Sequence, residues 1–117
     1  MITSNPEKRF QDIIDNIDRI EEYLKHLKPG EILEENALVL DAVERCLQRI
    51  SEAARKLDRI AEELVPDFPW HSVRGIGNHL RHDYDNLNMP VINVVIETEL
   101  PALRAVCLEA LEKLRQD

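Results

Sequence analysis

From Leu38 to Leu64 apolar or small residues recur every three or four positions, through Val39, Val43, Cys46, Ile50, Ala53, Leu57 and Ile60, and neither Gly nor Pro intervenes before Pro66. That spacing lays one continuous apolar stripe along an α-helix, whereas a strand would need alternation every second residue. It predicts a single helix of roughly seven or eight turns, longer than about 40 Å at 1.5 Å per residue. A chain of 117 residues does not easily cover such an element along its whole length, so a homodimer formed through long helices is expected. Ala42, Ala53, Ala54 and Ala61 permit close helix approach, while Arg45, Arg49, Glu52 and Arg55 form a polar flank that solvation explains.

The remaining segments repeat the period. Phe10, Ile13, Ile17, Ile20, Leu24 and Leu27 form a helical seam, with Ser4 and Pro6 at its start and Pro29 and Gly30 near its end. After the break at Pro66 to Pro69, a shorter helix is expected over residues 71–84. A last helical stretch runs from Val91 to Leu114, with Pro101 either kinking it or opening a new helix after Thr98. Val91 to Ile96 has strand-like composition, but no second candidate strand exists to pair with it, and an isolated strand leaves its backbone groups unsatisfied. The fold class is therefore all-α, a bundle of four to five helices in one domain spanning residues 1–117.

Charge narrows the partners. The formal net charge of −8 excludes an extended nucleic-acid platform, since phosphate binding is driven by Lys and Arg, and no DNA partner is expected. Any RNA contact has to be a local basic patch. No apolar run reaches the roughly 20 residues of a bilayer span and residues 1–11 lack a secretory apolar segment, so a cytoplasmic protein without membrane contact is expected. Cys46 and Cys107 lack metal-ligand spacing and sit at apolar helical positions, which reads as buried reduced thiols. No cofactor or metal is expected.

The segment after Trp70 carries the chemistry. At about 100° per residue, Val73, Ile76, Gly77, Leu80 and Tyr84 share one face, which packs on the bundle. Arg74, Asn78, Arg81, His82 and Asp85 fall on the opposite side, a stripe of two guanidiniums, an amide, an imidazole and a carboxylate. An imidazole moves protons near neutral pH and a guanidinium stabilises charge on a phosphorane, so the stripe suits cleavage of an RNA phosphodiester without a metal. A solvated or salt-bridged surface is the plainer reading of the same residues. Trp70, the only tryptophan, is expected to cap the core beneath the loop entering this helix.

The run Pro69-Trp70-His71-Ser72-Val73-Arg74-Gly75-Ile76-Gly77-Asn78-His79-Leu80-Arg81-His82-Asp83-Tyr84 resembles the signature of the HepT-like branch of the HEPN ribonuclease toxins, a Trp followed by Arg-Asn and His-x-Tyr. Ile50-Ser51-Glu52-Ala53-Ala54 and Leu100-Pro101-Ala102-Leu103 resemble the Glu-Ala segment and the late Leu-Pro pair of the same family. The resemblance covers residues 8–114 and implies a HEPN-like dimer whose Arg-and-His motifs face one cleft, with RNA as substrate and an MNT-type nucleotidyltransferase as antitoxin partner. It further implies Tyr84 as a site of regulatory nucleotidylation, although the wheel leaves room for a tyrosine that merely buries its ring. One departure stands out: the family's motif arginine precedes the asparagine, and here that position is Gly77. Arg74 and Arg81, one turn before and after Asn78, are the guanidiniums that could substitute, with His82 as the histidine. Gly77 is expected to let a neighbouring helix approach closely. Two functions follow: a metal-independent endoribonuclease toxin using Arg74, Asn78, Arg81 and His82, or a HEPN-fold binding partner of the nucleotidyltransferase that has lost catalysis.

Overall fold

The computed structural model describes residues 2–80 and 87–116, and the backbone alone of His79. Helix α1 (Pro6–Leu24) begins where the Asn5 side chain accepts the Lys8 N–H at 3.1 Å, with Pro6 in the first turn, where its missing N–H costs nothing. The helix ends five residues before Pro29, because Lys25, His26 and Leu27 tighten into bonds to carbonyls three residues back.

Helix α2 (Ala37–Leu57) is capped by Asn36, whose side chain accepts the Val39 N–H at 3.1 Å. The uninterrupted helix expected from Leu38 to Leu64 does not form. It breaks at Asp58, which sits at φ 50°, ψ −134°, and a separate short helix α3 (Arg59–Leu64) follows. Positive φ disfavours a residue with a Cβ. This break is pinned from outside: the Arg74 guanidinium donates to the Asp58 carbonyl at 2.6 Å, and Thr3 N–H donates to the Lys56 carbonyl at 2.7 Å. At 21 residues α2 is about 31 Å long. The argument from helix length to a dimer therefore loses its footing.

Helix α4 (Trp70–His79) and helix α5 (Met89–Val94) flank residues 81–86. The ends of the two helices are held side by side by Asn88 N–H donating to the Leu80 carbonyl at 2.8 Å. Helix α5 passes without interruption through a π-helical turn (Val95–Glu99) into α6 (Leu100–Gln116). In that turn Leu100 N–H reaches back five residues to Val95, which widens the coil just before Pro101, whose ring cannot donate and would crowd the carbonyl four residues back. Pro101 thus sits in the first turn of α6, directly after the π turn, which is the second of the two placements expected for it. The Val91–Ile96 block is helical, as its lack of a pairing partner required.

The packing order is α6, α1, α2, α4, with α1 and α2 forming the central pair. Phe10, Ile13, Ile17 and Ile20 of α1 meet Val43, Cys46, Leu47, Ile50 and Leu57 of α2, all buried. Arg104 of α6 grips Asp18 of α1 through two bonds of 2.8 and 3.1 Å, which hold the Asp18 carboxyl below the usual carboxylate range. Both cysteines are free and buried, and burial pushes the Cys107 thiol up to about 12, so it stays protonated at neutral pH. Among the described residues no helix is long and apolar enough to cross a membrane.

Candidate functional site

Helix α4 is positioned by its first residue. Trp70 is 1% exposed, its indole Nε1–H donates to the Val65 carbonyl at 2.9 Å, and its ring lies edge-on to Phe10 and Phe68 at centroid separations of 6.1 and 5.3 Å. The expectation that Trp70 caps the core is met. Val73, Ile76 and Leu80 are buried behind it, so the apolar face assigned from the wheel is the face that packs.

Contact with α2 runs through Ser51, which is fully buried. Its Oγ donates to the Arg74 carbonyl at 2.6 Å and accepts the Gly77 N–H at 3.4 Å. A Cβ built on Gly77 would meet Ser51 Oγ at 3.5 Å and Arg55 Nη2 at 3.7 Å, ordinary van der Waals distances. Gly77 does lie close against α2, as expected, but the approach does not require glycine, because a Cβ there would make only ordinary contacts.

Beyond Gly77, α2, α4, α5 and the π turn line an open recess of about 730 Å³. Arg74 and Asn78 both line it, as the polar stripe predicts, together with Arg55 of α2, His71, Asn88 and Glu99. Asn78 is exposed. Arg81, His82, Tyr84 and Asp85, the rest of the stripe, lie outside the described residues.

Arg74 is the surprise of the cavity. Its Nη1 donates to Glu62 Oε2 at 2.8 Å, Nη2 donates to Glu62 Oε1 and to the Asp58 carbonyl, and Nε reaches the Ala54 carbonyl at 3.4 Å. Of these four bonds two go to the Glu62 carboxylate and two to carbonyls around the end of α2, and together they tie α4 to the α2–α3 joint. The same contact holds the Glu62 carboxyl below its ordinary value. Truncating Arg74 to Ala should cost about 1–2 kcal/mol, since Glu62 is 44% exposed and solvent screens part of the pair. A carboxyl with a depressed folded pKa stabilises the fold fully above its unfolded value, here 4.5, and the contribution fades as pH falls through the folded value. Urea titrations from pH 7 to pH 3 should therefore show the gap between wild type and Arg74→Ala narrowing on the acid side. The Asp18–Arg104 pair behaves alike in both proteins and cancels.

Sequence reasoning passed over Arg55 and His71. The first was assigned to a solvated flank of α2, and its place in the cavity depends on how α2 and α4 pack, which no local pattern encodes. His71 directly follows the landmark Trp70 and faces the same cavity; its position after that tryptophan was the available signal.

The described residues form a helical bundle in which Arg74 and Asn78 of one helix line a shared recess. Residues 13–110 match the family described as Ribonuclease HepT-like, and the chain belongs to that family. Among its relatives is a Methanocaldococcus jannaschii protein provisionally named an RNase, 26% identical over 93 residues, 80% of this chain and 84% of that one. A Thermococcus cleftensis protein named "Probable ribonuclease HepT" is 26% identical over 107 residues, 92% of this chain and 93% of that one. A third, from Caldanaerobacter subterraneus subsp. tengcongensis, also provisionally named an RNase, is 26% identical over 108 residues, 92% and 96% of the two chains. No solved structure matches the chain.

Proposed function

We propose that this protein is a metal-independent endoribonuclease, the toxin of a pair with an MNT-type nucleotidyltransferase, acting as a homodimer on RNA. The observation that carries the reading is a polar cavity beside Asn78 in a chain of the HepT-like family, whose relatives bear ribonuclease names. His82 moves the proton between the ribose 2′-hydroxyl and the leaving oxygen, the arginines Arg74 and Arg81 stabilise charge on the phosphorane, and Asn78 orients the phosphate. Arg74 does so while anchored to Glu62, through the one N–H that its bonds to Glu62, Asp58 and Ala54 leave over. Tyr84 is the residue the nucleotidyltransferase modifies.

One observation favours a second reading, a catalytically inactive binding partner of the nucleotidyltransferase: Gly77 stands in place of the motif arginine, and the nearest substitute, Arg74, spends its donors on Glu62 and backbone. The two readings separate in one assay. Purified protein, checked by mass for added nucleotide on Tyr84, is incubated with a small-RNA pool in excess chelator. Cleavage is the expected result; intact RNA after incubation with folded, unmodified protein favours the inactive partner.

A further inference from the structure

Three observations converge on Arg55. Its Nη2 lies 3.7 Å from where a Cβ of residue 77 would stand, so this guanidinium already occupies the space next to the empty position. Arg55 lines the same cavity as Asn78 and is exposed to it, although it comes from a different helix. Among the described residues no hydrogen bond or ion pair engages its guanidinium, whereas Arg74 has committed its own to Glu62 and to the carbonyls of Ala54 and Asp58. An uncommitted guanidinium in a recess keeps its full set of planar donors for a phosphate, which it can grip through two oxygens at once.

We propose that Arg55 supplies from α2 the guanidinium that Gly77 does not carry on α4, and that it contacts the scissile RNA phosphate. The proposal rests on the ribonuclease reading and deepens it. Gly77 and Arg55 then form a complementary pair: the arginine of the facing helix ends beside the position that lacks a side chain, and Ser51, one turn before Arg55 and bonded to Gly77 N–H, keeps the two helices in register. The cation is held near Asn78, but its tether has moved from one helix to the other.

The test is RNA cleavage in chelator by wild type, Arg55→Ala, Arg59→Ala, and the double variant Arg55→Ala with Gly77→Arg. Arg59 is an exposed cation of α3 paired with Glu63, so its loss controls for net charge. Arg55→Ala is expected to slow cleavage about a hundredfold, the scale of losing one charge-stabilising donor, with Arg59→Ala within about twofold of wild type. The double variant should recover at least about tenfold, because position 77 accepts a side chain at ordinary contact distances. Arg55→Ala cleaving at the wild-type rate overturns the proposal, and so does a loss matched by Arg59→Ala. Where wild type itself leaves RNA intact, the ribonuclease reading fails separately. Fluorescence anisotropy of a labelled single-stranded RNA then decides for Arg55: weaker binding by Arg55→Ala alone supports the phosphate contact, and equal binding by all four proteins overturns it.

Discussion

Trp70→Ala is expected to destabilise the fold by about 3–5 kcal/mol, the largest loss from any single truncation in this chain. The indole is the largest fully buried side chain and sits where three elements meet: Phe10 of α1, Phe68 of the loop before α4, and the Val65 carbonyl after α3. Truncation leaves a cavity at that junction and deprives the buried Val65 carbonyl of its donor. Because a domain of this size is stable by about 5–15 kcal/mol, about a fifth or more of the total is at stake. Urea unfolding followed by circular dichroism measures it, since the variant lacks the only tryptophan fluorophore. Trp70→Phe separates the contributions: it retains most of the ring packing, loses the 2.9 Å bond, and should cost about 1–2 kcal/mol. A loss below about 1 kcal/mol for Trp70→Ala would mean that α4 is positioned by something other than its first residue.

Much of the bundle was legible because apolar periodicity records which face of each helix is buried. Val73, Ile76 and Leu80 pack as their spacing requires, and so do Phe10, Ile13, Ile17 and Ile20. The break at Asp58 was not legible, for a physical reason. The apolar period runs through it undisturbed, and the contact that fixes it comes from Arg74, sixteen residues downstream, donating to a main-chain oxygen. A helix stop written by a tertiary hydrogen bond leaves no Gly or Pro behind. Near Pro101 the residue itself was legible, but the device that absorbs it, a π turn placed before the proline, depends on backbone geometry alone.

The candidate site divides along the same line. Arg74 and Asn78 are one turn apart on one helix, and the wheel brings them to one cavity. Arg55 lies about twenty residues earlier on another helix, and only the α2–α4 contact at Ser51 delivers it to Gly77. Arg74 itself illustrates how a correct location can carry an unforeseen duty, since nothing local to residue 74 announces that Glu62 waits twelve residues upstream.

His82→Ala carries the largest expected effect on activity. An imidazole titrates near neutral pH and can both accept the 2′-hydroxyl proton and return one to the leaving oxygen, a contribution worth about 10²–10⁴ in rate. No other residue of the proposed set can take that role, because Arg stays protonated and Asn does not titrate. His71 is the imidazole among the described residues that shares the cavity, so His71→Ala belongs beside it. The decisive measurement is the single-turnover rate of cleavage of an end-labelled RNA in excess chelator by wild type, His82→Ala and His71→Ala, each with its melting temperature. The expected result is cleavage by wild type, a loss of about a thousandfold in His82→Ala at unchanged melting temperature, and retained activity in His71→Ala. Cleavage by His82→Ala at the wild-type rate, or intact RNA with folded wild type, would contradict the ribonuclease centre proposed for this chain.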